Sequence, residues 1–282
     1  MAQQKLDQAT LSIDGIVVTN TQTNSIHMAI NSTITTDGST HATIDSFEGT
    51  MYLADVDPPL AFATIDFPET TSDAFQTVNV SQEVPISDLK AFTTFNTHLI
   101  QSESVNVLVR GNTNVYVRGI SRAYGVTFSK TVALTGMNGF RGTSVTNPHV
   151  NTNQHNNFNA TARISNPSVL TLEIGNTTFH TYFNETDIGT SYISNMVLRP
   201  GPNDFFIWAD INQTAVLNGL TQRPWCERNG TLAFQLAGSS VTNRGQSLPY
   251  FADAMAATNQ SVDIPIGQAV RDDIGLPVAC ID

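Results

Sequence analysis

Charge is scarce in this sequence. Asp, Glu, Lys and Arg together make up 13% of its 282 residues, about half the usual share. The balance is acidic: 13 Lys and Arg against 24 Asp and Glu give a net charge of −11 and a pI near 4.8. An acidic surface repels phosphate backbones, so nucleic acid is not an expected partner. Low charge beside 40% apolar residues also excludes the disordered class, which needs the reverse. Long apolar runs are missing too, with no stretch of 18 residues able to cross a bilayer as a helix. The opening Met1-Ala2-Gln3-Gln4-Lys5-Leu6-Asp7 has no apolar signal-peptide core.

Catalytic signatures are equally thin. There is no Gly-X-Ser-X-Gly elbow, no phosphate-cradling glycine loop and no His-Glu-X-X-His. Asp55-Val56-Asp57 pairs two carboxylates as a cation site would, but Pro58-Pro59 follows and makes them exposed turn acids. His149 and His155 flank a polar stretch, and two imidazoles can share a metal. No third ligand stands near them in sequence. The expectation is therefore a non-enzyme with no cofactor and no metal.

Polarity comes instead from 25 Asn and 57 Ser plus Thr. Asn-X-Ser/Thr sequons begin at Asn31, Asn79, Asn159, Asn176, Asn184, Asn212, Asn229 and Asn259. Chance supplies roughly five of these in such a composition, so the excess is mild. The two cysteines, Cys226 and Cys280, suit one disulfide in an oxidising compartment, with two buried thiols as the alternative. Cys226 follows Pro224-Trp225, which favours a disulfide packed on an aromatic ring. Arg223 and Arg228 nearby keep a reactive thiol open. A bridge would close a loop worth about 3–4 kcal/mol. Sequons and paired cysteines together lead to the expectation of a luminal or extracytoplasmic fragment, its targeting or anchoring segment outside this chain or missing from the gene model.

The chain reads as β almost throughout. Residues alternate in Thr10–Val17, Ser25–Asn31 and Val105–Val109, and Thr, Val, Ile and Phe dominate. Turn signals at Asp37-Gly38, Asp57-Pro58-Pro59, Asn138-Gly139, Asn166-Pro167, Pro200-Gly201-Pro202 and Asn229-Gly230 divide it into strands of sandwich length. One segment departs. From Ser87 the spacing of Leu89, Phe92, Phe95 and Leu99 predicts a helix with one apolar face, Ser87 as its N-cap and Asp88 at the positive end of the dipole. Tyr250–Ala257 is a second short helix candidate.

Landmarks repeat at about 130 residues. Asn31-Ser32-Thr33 then Ile44-Asp45 match Asn159-Ala160-Thr161 then Leu172-Glu173. Pro68 matches Pro200. Val105, Val107, Val109 and Gly111 match Leu232, Phe234, Leu236 and Gly238. The expectation is an all-β chain of two tandem antiparallel β-sandwiches, residues 1–140 and 141–282, with one or two short helices.

The second half runs Ala162-Arg163-Ile164-Ser165-Asn166-Pro167-Ser168, then Leu170–Ile174, Thr190–Ser194 and Leu198–Asn203. A strand ending in Asn-Pro, a second strand and a Pro-Gly turn resemble the immunoglobulin-like group-2 late-embryogenesis-abundant (water-stress) fold. Leu11–Asp14 and Ser25–Ile30 are similar to the start of a fungal family known only as a domain of unknown function. The likeness spans most of the chain, but its motifs are patterns without catalytic residues. The first half has Asp37-Gly38 where the second has Asn-Pro, and the family's usual membrane span is absent. The resemblance implies a membrane protein of the secretory pathway or vacuole with luminal sandwiches, attached through a segment absent here. It also implies a scaffold role with another luminal protein as partner, or lipid held in an apolar groove. Such a groove would lie between the sheets or beneath the helix from Ser87 to Ile100, walled by Phe92, Phe95 and Leu99. A fully packed core is the alternative for those side chains. A further alternative is a secreted surface or wall protein binding glycans or partner proteins, with Tyr116, Tyr124, Trp208 and Trp225 as candidate rings.

Overall fold

The computed structural model describes residues 2–280. The chain is all-β, with strands in two sheets and five short α-helices rather than one or two. It divides into two compact units, Met1–Gly136 with Ser168–Glu173, and Met137–Pro167 with Ile174–Asp282.

In unit 1, helix α1 (Ala2–Gln8) precedes β1 (Thr10–Thr19) and β2 (Ser25–Thr35). Then come β3 (Ala42–Ile44), β4 (Phe47–Leu53), β5 (Leu60–Phe67), β6 (Thr70–Thr71) and β7 (Phe75–Pro85). Helix α2 (Leu89–Gln101) and the long hairpin of β8 (Ser104–Val117) and β9 (Ala123–Thr135) complete it. One layer is β1-β2-β7, antiparallel, with Leu170–Leu172 running parallel to β1. The other is β5-β4-β8-β9, with β3 and β6 continuing it beside the far end of β8.

Alternation decides which face is buried, because successive side chains point to opposite sides of a strand. Ile26, Ile30 and Ser32 of β2 stand opposite Val84, Val80 and Val78 of β7, and all six are buried. The Ser32 hydroxyl donates to the Val78 carbonyl at 2.8 Å, so the one polar member of this face is satisfied. Glycine marks a close approach on β8. A Cβ at Gly111 would stand 2.5 Å from the Glu48 carbonyl oxygen and 2.7 Å from the Phe47 ring.

Helix α2 forms where the apolar spacing places it, with two corrections: the N-cap is Asp88, not Ser87, and Leu89 is exposed. The Asp88 carboxylate accepts from Ala91 N at 2.9 Å, combining the capping bond with charge at the positive helix end. Phe92, Phe95 and Leu99 are 3%, 8% and 1% exposed. Phe95 stacks on Phe62 of β5 with ring centroids 4.0 Å apart. These three side chains close one end of the sandwich.

Unit 2 begins with β10 (Ser144–Val150), β11 (Phe158–Asn166), β12 (Leu170–Phe183, its first four residues belonging to unit 1), β13 (Thr186–Leu198) and β14 (Gly201–Ile211). Then follow α3 (Gln213–Leu220), β15 (Leu232–Asn243), β16 (Gln246–Ser247), α4 (Pro249–Ala256), β17 (Gln260–Ile264) and α5 (Ile266–Ile274). The pairings β10–β11–β14 and β13–β12–β15–β17 follow the order of β1–β2–β7 and β5–β4–β8–β9. Asn31 and Asn159 both lie on the second strand, and Val105–Val109 and Leu232–Leu236 both open the strand after a helix. The landmark Ile44 does not follow this order: it lies on β3, whereas Leu172 lies on β12, the counterpart of β4. Two differences stand out. In unit 2, β13 also pairs with β14, and α4 fills the connection where unit 1 has a short turn. The buried face of α4, Tyr250, Phe251, Ala254 and Met255, packs on β15, where a Cβ at Gly238 would meet the Met255 Cβ at 2.6 Å.

Cys226 and Cys280 form a disulfide with Cα atoms 5.2 Å apart. It ties the segment after α5 to the loop before β15, where Trp225 packs on Phe183 at 4.9 Å between centroids.

Two stability outcomes follow. Phe95→Ala should cost about 3–5 kcal/mol, the range for a buried aromatic, and lower the thermal midpoint steeply. Cys226→Ser with Cys280→Ser should cost about 3–4 kcal/mol by freeing a loop of 54 residues in the unfolded chain. Denaturant titration of each variant measures both. A loss under 1 kcal/mol for Phe95→Ala would mean that the helix does not close a packed core.

Candidate functional site

Helix α1 covers the end of unit 1 opposite α2. It presents Leu6 inward, 8% exposed, with Ala9 just beyond. Its other ties are polar and lie on the rim. Gln3 donates to the Thr127 carbonyl and accepts from Thr127 N, both at 2.9 Å. The Lys5 ammonium pairs with Asp37 and donates to the Ser39 hydroxyl at 2.8 Å. Lys130 of β9 donates to the carbonyls of Asp7 at 2.9 Å and Ala9 at 2.6 Å.

One leucine and an alanine are too small to fill this end. They leave a cavity of about 270 Å³, near the lower bound for small-molecule sites. Its walls are largely apolar, with Leu11 from β1, Ile34 from β2, Val115 and Val117 from β8 and Phe128 from β9, beside Thr36, Asp37, Thr71 and Ser72. Tyr124 and Ile120, 36% and 47% exposed, stand at its edge. Lys5 and Lys130 also line it, and their electrostatic situations differ. Asp37 offsets Lys5 directly, and the Lys5 ammonium, with Ser39, holds the Asp37 carboxyl down to about 2. The hydrogen bonds of Lys130 go to two uncharged carbonyls, while the Asp7 carboxylate accepts from Gln3 and acts on Lys130 only through space. Burial lowers the Lys130 pKa, and Asp7 opposes that shift.

Unit 2 has a smaller apolar cavity of about 160 Å³ beneath α3 and α5, lined by Phe158, Val216, Phe234, Val262 and Val270 among others. Helix α3 occupies the place in the strand order that α2 holds in unit 1. It has eight residues and no aromatic, where α2 has thirteen residues and two phenylalanines. The groove expected at Phe92, Phe95 and Leu99 is therefore plugged in unit 1, and the open space under the corresponding helix lies in unit 2.

The remaining sequence candidates are dispersed. Asp55 accepts from Asn106 N and from its amide Nδ2, each at 2.7 Å, so it braces a turn. His149 lies 3.2 Å from Asp273, and His155 lies 3.6 Å from Asp210; the two imidazoles face different acids. The Val150 N–H, with His149, holds the Asp273 carboxyl below the usual range. No group of three or more His, Cys, Asp or Glu able to hold a metal occurs among the described residues. The sequon asparagines are exposed except Asn159, which is half-buried. Asn31 and Asn79 stand directly opposite each other on β2 and β7. Asn176 accepts from Asn195 N, Asn212 caps α3, and Asn184 and Asn229 occupy left-handed turn positions. Asn259 follows α4.

Of the candidate rings, Tyr116 is exposed and Tyr124 edges the cavity, while Trp225 packs beside the disulfide. Trp208 stacks on Tyr192 at 4.1 Å between centroids. Phe206, 63% exposed on the same face of β14, was not among the sequence candidates. A solvent-facing phenylalanine two positions from a tryptophan on a strand was the signal available.

A family model described as a protein of unknown function (DUF3712) matches residues 60–181. No curated protein matches the chain. Among solved structures, a bacterial adhesin from Mobiluncus mulieris with intramolecular disulfide, isopeptide and ester cross-links is 7% identical, with a TM-score of 0.22 over 88% of this chain and 84% of that one. The CupB6 tip adhesin from Pseudomonas aeruginosa is 7% identical, with a TM-score of 0.20 over 90% and 94%. Likenesses this low carry no statement about function.

The Lys5–Asp37 tie gives the α1 cover a defined acid limit. A carboxyl whose pKa is depressed on folding contributes stability above its ordinary value of 3.8, and that contribution is lost as pH falls through the folded value. Hydrogen exchange at Leu6–Ala9, corrected for intrinsic rates, should hold steady from pH 7 to 5 and rise between about 3.8 and 2. Asp37→Asn should raise exchange at pH 5 and remove the acid step. Loss of protection already at pH 6 would show that the tie does not hold the helix.

Proposed function

We propose that this chain is a non-catalytic, extracytoplasmic β-sandwich module that holds a lipid in the cavity beneath α1. The cavity is the observation that carries this reading. A well-packed domain fills its interior to crystal-like density, and here an apolar volume of about 270 Å³ lies beneath a helix whose ties are mostly polar. Such a cover opens at smaller free-energy cost than the core strands.

The compartment rests on other features. The Cys226–Cys280 bridge fits an oxidising environment, and the exposed sequons fit a lumen. We read the chain as the luminal part of a fungal membrane protein of the secretory pathway, vacuole included. This extends the match to a family of unknown function and the likeness to the water-stress fold. The module's partners on this reading are lipid or another luminal protein. The rings at Phe206, Trp208 and Tyr192 favour a second reading, a secreted surface protein that binds glycans by stacking on sugar faces.

Displacement of a fluorescent fatty-acid probe from the full chain separates the two. The parent should take up the probe. Ile34→Trp, which fills the cavity from β2, should weaken uptake at least roughly tenfold, about 1.4 kcal/mol, with the thermal midpoint nearly unchanged. Phe206→Ala should leave uptake intact. No uptake by the parent, with oligosaccharide binding lost in Phe206→Ala, would replace the lipid reading with the glycan one.

A further inference from the structure

The cavity beneath α1 has a chemical polarity as well as a volume. Leu11, Ile34, Val115, Val117 and Phe128 of its lining offer no hydrogen bond to a ligand head group, while Thr36, Asp37, Thr71 and Ser72 line it as well. At its edge stand two ammonium groups in a protein that is otherwise strongly acidic. Lys5 is matched by Asp37. Lys130 has three N–H donors, and it spends two on the uncharged carbonyls of Asp7 and Ala9. A partly buried cation that lacks a hydrogen-bonded anion retains an electrostatic demand, which is strongest beside a low-dielectric apolar wall.

We propose that the unit 1 cavity selects a single-chain aliphatic carboxylate, its tail against Ile34, Val115 and Phe128 and its carboxylate on the Lys130 ammonium. This rests on the lipid reading of the same cavity and names the ligand class. A carboxylate accepts the remaining Lys130 N–H in a charge-assisted hydrogen bond, about twice as strong as a neutral one. An alcohol of equal chain length fills the same apolar space but offers Lys130 only a neutral acceptor, leaving Asp7 as its through-space counter-charge. A two-chain phospholipid needs more room than about 270 Å³ provides. Lys130 also sits at the C-terminal end of α1, where a lysine stabilises helix carbonyls. The test must therefore separate ligand recognition from helix capping.

Titration calorimetry of the full chain with decanoate, decanol and dodecylphosphocholine at pH 7 makes that separation. The parent should bind decanoate at least tenfold more tightly than decanol, and dodecylphosphocholine weakly. Lys130→Met should bring decanoate down to the decanol level while decanol binding is retained, the two lost carbonyl bonds lowering the thermal midpoint slightly. Lys130→Arg should keep most of the preference. Equal binding of decanoate and decanol by the parent overturns the carboxylate assignment and leaves the lipid reading standing. Failure of all three ligands to bind overturns both. A fall in decanoate and decanol binding together in Lys130→Met, with faster exchange at Leu6–Ala9, assigns Lys130 to capping α1 and also overturns the proposal.

Discussion

A two-layer sandwich closes itself along its faces, because alternating side chains from both sheets meet in the middle. It does not close itself at its ends, where the strands stop. Something apolar must be placed there, and its size decides whether the end is filled or hollow. Unit 1 shows both outcomes. Phe92, Phe95 and Leu99 of α2 fill one end, with Phe95 flat against Phe62. Leu6 and Ala9 at the other end are too small, and the cavity beneath α1 results. In unit 2 the shorter α3, with α5, leaves a smaller space.

The scarcity of charge shapes the rest. With so few ionic groups, many polar ties are hydrogen bonds of Asn, Thr and Ser to backbone, as where Asn203 accepts from Arg199 N and donates to the Arg199 and Gly201 carbonyls. The ion pairs are largely exposed and individually weak, so they hold local segments rather than the fold. Against this background the ammonium of Lys130 stands out. It lies at an apolar wall and bonds only to neutral carbonyls, which gives the cavity a direction that volume alone would not.

Much of the architecture was readable before any coordinates. Alternation in Ser25–Asn31 and Val105–Val109 marks strands because a half-buried sheet demands period two. Helix α2 was visible from four large residues on one face, and its cap missed by a single residue because Ser87 and Asp88 are both good caps. Helices α1, α3 and α5 were not visible. Each has at most nine residues, and a segment that short is held by what it packs on rather than by its own propensity. The cavity was unreadable for a related reason. Leu6, Ile34 and Lys130 are distant in sequence, and nothing local distinguishes an apolar residue that fills a space from one that borders it.

The sequence by itself determined the strand faces, the turns, the absence of a helix fit to cross a membrane among the described residues, and the two cysteines available to bridge. These depend on local period, backbone chemistry and residue count. Tertiary structure alone decided that Phe95 plugs an end, that Cys226 meets Cys280, and that α1 roofs a hollow edged by Lys130. Volume and charge balance at a point are sums over residues brought together from far along the chain, so they have no value until the chain is folded.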